Sequence, residues 1–434
     1  MPSADLLPVV DGEVLKHQPV VTFDEKPPEY THWQQIVRVW ASGRIAWINV
    51  FILTFIPIIA LYGCFTHELQ TKTMWWSIFY YIFSGLGITA GYHRLFAHRS
   101  YTANGLTRFG MMLAGSAALE GSIKWWCGGH RIHHRYTDTP KDPYNANGGF
   151  WYSHIGWMLI TPDPKQFTKG DIRDLNADPI VRWQHTYYLF IGPFMALVLP
   201  TLIAGIFWGD WLGGYFYAGA ARLFFVHHST FCVNSVAHYL GEQTFDDDRS
   251  PRDHIVTALL TFGEGYHNFH HEFPNDYRNG IRWYDYDPTK WLILVLNFFG
   301  MAKGLKEFPM NEIKRGVIYM KEKKLNFLKS QVVHPKEPSA LPLVSWSDYL
   351  SKVKSGEKLI LVDGLIHDVT EFMPLHPGGE AILNSYMGVD ATKVFRGQTT
   401  PVLYKHSHAA LNILSNMRVG RIDPATVPTP KKEQ

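Results

Sequence analysis

Three groups of histidines in this 434-residue chain have the side-chain type and spacing to hold metal ions. They are His93-Arg-Leu-Phe-Ala-His98, His130-Arg-Ile-His133-His134 and His267-Asn-Phe-His270-His271. In the second and third, positions i, i+3 and i+4 share one face of a helix with 3.6 residues per turn, so the imidazoles can converge on one point. The i, i+5 pair His93 and His98 does not share a face cleanly, which places one at a helix end and the other just beyond it. Imidazole is a borderline nitrogen donor that suits iron, copper and zinc. Eight convergent histidines exceed what one ion accepts, so the pattern calls for two ions. His238 is a ninth candidate, at the end of an apolar run where an ionisable side chain is costly and tends to be functional.

The elements that must position these residues are apolar. Runs at 45–65, 74–90, 186–208 and 214–238 are long enough, or nearly so, to cross about 30 Å of hydrocarbon as helices. Two crossings make a hairpin, so the polar segments that follow each pair return to one side. The segment from Arg94 to Arg182 carries eleven Lys or Arg, and the loop from Gly209 to Gly213 carries none. Positive charge marks the cytoplasmic face, so the histidines, and both termini with them, are expected there. A single cluster would suit a structural zinc site, but three on one side of a membrane point to a catalytic centre.

Composition fits a membrane core diluted by polar material: 18% charged, 15% aromatic, with a mean hydropathy near zero. A net charge of +3 makes no call for nucleic acid. Cys64, Cys127 and Cys232 form neither a disulfide framework nor a metal-finger spacing. The N-terminus lacks the basic-then-apolar order of a cleaved signal. The expected division is a cytosolic arm over 1–40, a membrane domain over 41–310, a basic and Pro-rich linker over 311–343, a compact mixed domain over 344–424 and a disordered tail over 425–434.

The motifs GYHRLFAHRSY, KWWCGGHRIHHRYTDTPKDPY, VNSVAH and GEGYHNFHHEFP resemble those of integral-membrane Δ9 acyl-CoA (stearoyl-CoA) desaturases, the fungal type in particular. The segment LIHDVTEFMPLHPGGEAIL…GVDATKVF…KHSHAALNIL resembles cytochrome b5. The resemblance implies a mainly α protein: a four-helix transmembrane desaturase domain with a cytosolic helical cap, plus a small α+β haem domain. It implies two Fe2+ held by His93, His98, His130, His133, His134, His238, His267, His270 and His271, with Asn234 reaching a metal through water. It makes Trp126 and Thr230 the residues that bend the acyl tunnel, and Asn49 a headgroup-side contact. Haem b would take His376 as one axial ligand and His406 as the other, with His408 near enough to compete. Two axial imidazoles leave no site for O2, which suits electron transfer. Pro377, Gly378 and Gly379 permit the tight turn that presents His376.

The implied reaction is O2-dependent insertion of a cis Δ9 double bond into saturated acyl-CoA. Electrons would come from NADH through cytochrome b5 reductase and the fused haem. The implied setting is the endoplasmic reticulum membrane. Membrane hydroxylases are the main rival reading, and a tethered haem carrier would leave the histidines without a role. The chain also departs from the animal pattern. Gly128 and Gly129 stand where an Arg-Asp pair contacts coenzyme A, and Gly121 replaces an Asn. Headgroup recognition is therefore expected to use other basic residues, such as Arg131.

Overall fold

The computed structural model of the chain describes residues 37, 41, 43–161, 170–398 and 404–428. The expected arm, apart from residue 37, lies outside these residues, as do 429–434 of the expected tail. Two compact units are present, Met1–Glu322 and Lys323–Gln434.

The first unit is helical. Helix α1 spans Trp47–Thr66. Helix α2 spans Thr71–Leu86 and continues as a π-helix over Gly87–Ala97. Helix α3 (Gly105–Ser116) crosses it where a Cβ on Gly87 would lie 2.2 Å from the backbone nitrogen of Gly115, so only glycine permits this approach. Helix α4 (Ile123–Tyr136) starts at Ser122, whose hydroxyl accepts from the Trp125 N–H. Helix α5 is a short turn, Phe150–His154. Helix α6 (Pro179–Trp208) starts with Asp178 as cap and Pro179 in the first turn, the usual order at a helix start.

After a π-helical stretch at Gly214–Ala221, α7 runs over Arg222–Asn234. It breaks at Ser235 and resumes as α8 (Val236–Tyr239). Helices α9 (His267–Glu272), α10 (Pro288–Phe298) and α11 (Met310–Ser330) follow.

Helices α1 and α6 are long and apolar enough to cross a membrane, judged by length and composition. The other two expected crossings are helical but richer in Gly, Ser and Tyr, and among the described residues they do not meet that measure. Irregular helical turns in an apolar setting leave carbonyls to satisfy. Arg222, buried and in no ion pair among the described residues, serves three of them: Ala218 at 3.1 Å, Ala117 at 2.6 Å and Ala196 at 2.5 Å.

Much of the expected linker is the helix α11. Its sequence is dense in Lys, Glu, Leu and Met, which favour helix, and contains no proline.

The second unit holds a four-stranded sheet of β1 (Leu343–Val344), β2 (Leu359–Val362), β3 (Leu365–Asp368) and β4 (Arg418–Ile422) in the order β1-β4-β3-β2. Strands β2 and β3 form a hairpin through Asp363-Gly364, both with positive φ, as a tight two-residue turn requires. The helical segments of this unit close over a core that includes Ile360, Val369, Met373 and Leu414.

Candidate metal centre

All nine histidines come together, in two groups. His93, His98, His130, His134 and His270 place one nitrogen each within 4.8 Å of one another, and His133, His238, His267 and His271 do the same. Inside the first group the Nε2 separations include 2.8 Å (His98 to His130) and 3.0 Å (His93 to His270, His270 to His134). Inside the second they are 3.1 to 3.2 Å. Two nitrogens each ~2.1 Å from one ion and at right angles to each other would lie about 3.0 Å apart, so both groups fit a metal. Burial, then the neighbouring imidazoles, push His98, His134, His270 and His271 well below the usual histidine range. They are held neutral, the form that donates a lone pair.

Local structure explains the convergence. His130, His133 and His134 lie on α4, and His267, His270 and His271 on α9. The i, i+5 pair is solved differently from expectation. His98 does close the helix, but His93 lies well inside it. The π-helical turn brings the two together, with the His98 N–H bonded to the His93 carbonyl at 3.0 Å. Widened turns of this kind recur at functional sites. Helix α9 is capped from outside by Asp253, which accepts from the Asn268 and Phe269 N–H groups at 2.9 and 3.1 Å.

Behind five of the rings, other side chains meet the outward Nδ1, fixing ring orientation and leaving Nε2 for the metal. Nδ1 of His133 meets Asp142 at 2.9 Å, and Nδ1 of His238 meets the Ser250 hydroxyl at 2.7 Å, itself bonded to Asp138. Nδ1 of His130 is 3.3 Å from the Tyr144 hydroxyl, and Nδ1 of His271 is 3.4 Å from Thr137. Nδ1 of His93 is 2.9 Å from Glu264, an ion-pair distance with a bent N–H geometry. Glu264 is held down to about 2, against burial, by His93 and Arg94. Arg94 also grips Asp287 at 2.9 Å. None of these partners was anticipated. Asp142, inside the TDTPKDPY motif, had the clearest signal in the sequence.

A cavity of about 940 Å³ runs past the centre, touching His93 and His130 of one group and His133 and His267 of the other. Ile52, Leu53, Ile88 and Val226 line its apolar reach, and Lys124 and Lys141 are among its wall residues as well. Asn49, Trp126, Thr230 and Asn234 all line it. The Asn49 amide donates to the Met158 carbonyl at 2.9 Å.

Glu120 joins two of these residues. It accepts from Trp126 Nε1 at 3.1 Å and from the Thr230 hydroxyl at 2.7 Å. Burial raises its carboxyl to about 7, with both hydrogen bonds opposing. A lone Glu in the apolar stretch AALEGS was the overlooked signal.

The suggestion that Arg131 meets the headgroup is corrected. Its guanidinium grips both oxygens of Asp174 at 2.7 and 2.8 Å and donates to the carbonyls of Phe96, Ala97 and Asp171. A guanidinium has five N–H donors, and these contacts occupy them.

In the second unit the rings of His376 and His406 face each other, centroids 6.4 Å apart and 30° from parallel. Bonds of about 2 Å to opposite faces of one iron, plus about 1.1 Å from nitrogen to ring centre, give about 6.2 Å, so the pair fits a haem. Each Nδ1 is tied to a carbonyl, Gly379 at 3.3 Å and Phe395 at 3.0 Å. His408 is exposed at the start of the helix His408–Asn416.

Comparison with known proteins agrees with this geometry. A family profile described as "Fatty acid desaturase" matches residues 70–296, and one described as "Cytochrome b5-like Heme/Steroid binding domain" matches 345–423. The "Probable acyl-CoA desaturase" of Schizosaccharomyces pombe is 47% identical over 94% of this chain and 83% of its own length. "Acyl-CoA desaturase 1" of Saccharomyces cerevisiae is 44% identical, over 93% and 77%. The "Acyl-CoA Delta-9 desaturase" of Acheta domesticus is 38% identical, over 63% and 78%.

Proposed function

This chain belongs to the fatty acid desaturase family and carries a cytochrome b5-like domain, and we propose that it introduces a cis double bond at Δ9 of saturated acyl-CoA such as palmitoyl or stearoyl thioesters. The observation that carries this reading is a cavity lined mainly by apolar residues, with Lys124 and Lys141 in its wall and both histidine groups bordering it.

The nine histidines are the proposed ligands of two irons, with Asn234 acting through water, and His376 and His406 the proposed ligands of haem b. When bound, two ferrous ions with O2 supply the oxidant that an unactivated methylene requires, and a doubly ligated haem supplies single electrons. The protein binds, orients and excludes water. Trp126, Thr230 and Glu120 form one hydrogen-bonded wall beside the first group, so they set which methylenes stop there.

Lys124 and Lys141 are in no ion pair among the described residues. Together with Asn49 they suit the phosphates of coenzyme A. Gly129 lines the same cavity, with open space where a Cβ would stand. NADH-cytochrome b5 reductase is the proposed electron source, and the endoplasmic reticulum membrane the proposed site, with both termini and the metal centre cytosolic. A fused donor raises the effective concentration of the haem partner.

Expression in a yeast strain that requires oleate tests the reading. Growth without oleate, with a cis bond between carbons 9 and 10 of the cell's fatty acids, is expected. Failure to grow, or a hydroxy acid product, would overturn it.

A further inference from the structure

His154 lies outside both histidine groups and outside the wall of the cavity, yet it is buried and fully engaged. Its Nδ1 is 2.8 Å from the Ser235 hydroxyl, 81 residues away, and its Nε2 is 3.0 Å from Nδ1 of His228. Ser235 is the break between α7 and α8, with φ −114° and ψ −75°. The turn tightens there, because the His238 N–H donates to the Ser235 carbonyl three residues back, at 2.9 Å. Asn234 immediately precedes the break and His238 follows it by three residues.

The hydrogen-bond directions can be assigned. The Ser235 hydroxyl has one proton and is 2.9 Å from the Phe231 carbonyl, which can only accept. With that proton committed, His154 must donate from Nδ1 to Ser235, and His228 must donate from Nδ1 to Nε2 of His154. The imidazole is further fixed between Phe150, 6° from parallel at 5.8 Å, and Phe231 at 5.7 Å.

We infer that His154 is a positioning residue for the second metal group: its Nδ1–H holds Ser235, and so holds the break that aims His238 at His267. The inference rests on the reading of the histidines as metal ligands. A displaced turn would move the His238 Nε2 away from its position 3.1 Å from His267, while the five-histidine group, built on other helices, would stay.

The test is non-haem iron per chain in the purified full-length protein, counted apart from the haem iron, with a thermal melt as the folding control. In His154→Ala, non-haem iron should fall from about two ions per chain toward one, because the turn that carries His238 loses its side-chain anchor. His154→Asn, whose amide reaches the Nδ1 position, should restore the second ion. His154→Gln, whose amide reaches the Nε2 position, should not. Ser235→Ala should lose the same ion, with no further loss in the double variant. If His154→Ala does not fold, Ser235→Ala decides. A wild type with fewer than two ions overturns the metal reading and this inference together. A two-ion wild type beside two-ion His154→Ala or Ser235→Ala variants overturns this inference alone, as would Asn and Gln behaving alike.

Discussion

The indole of Trp126 lies flat on the imidazole of His130, ring centroids 5.0 Å apart and 25° from parallel. One side chain is therefore both cavity wall and neighbour of the first histidine group, and its Nε1–H is fixed on Glu120. The place where an acyl chain passes the metals is set by this contact and by the hydrogen bonds behind it.

Glu120 carries a pH dependence. Its carboxyl is raised from 4.5 to about 7, so its contribution to stability is fully present below about pH 4.5 and lost as pH rises through 7. Glu120→Gln keeps both contacts, accepting from Trp126 and donating to Thr230, without a charge to bury. The melting temperature of the wild type should fall relative to Glu120→Gln between pH 5 and pH 8. A gap independent of pH would contradict this.

Asp142 holds the second group through His133. Asp142→Ala should weaken iron binding there by roughly 10- to 100-fold, read as a fall in iron per chain on dialysis against a chelator. Unchanged retention would remove Asp142 from the metal site.

Headgroup recognition separates two kinds of cation. Lys124→Glu with Lys141→Glu should raise KM for acyl-CoA roughly tenfold, about 1.4 kcal/mol, with little change in kcat. Arg131→Ala should leave KM alone but cost about 2 kcal/mol of stability through its lost hydrogen bonds to Asp174. Steady-state kinetics and denaturant melts check both. A KM effect confined to Arg131 would reverse the assignment.

For the haem, His406→Ala should abolish the low-spin spectrum of a doubly ligated iron, and His408→Ala should leave it intact. The reverse pattern would make His408 the ligand.

The histidine clusters were legible because helix periodicity alone puts i, i+3 and i+4 on one face, and the mainly helical architecture followed from apolar runs of recognisable length. What escaped depends on contacts between distant segments. Glu264 reaches back 170 residues to Arg94, and Glu120 is 110 residues from Thr230. The π-helical turn that aligns His93 with His98 is a backbone choice made by packing, not by local propensity. Arg131 was misread because its position beside the histidines suggested an open surface, while Asp174, 43 residues on, had already claimed it. Much of the expected linker is helical because its Lys, Glu, Leu and Met favour helix, which its charge alone did not reveal.

The most direct test of the central claim is a turnover of the purified full-length protein, loaded with iron and haem, on stearoyl-CoA deuterated at carbons 9 and 10. The assay contains NADH, cytochrome b5 reductase and O2. The expected product is oleoyl-CoA that has lost one deuterium from each of those two carbons, with no product when the reductase is omitted. Retention of both deuteriums on either carbon in an unsaturated product, or a hydroxylated chain in its place, would contradict it.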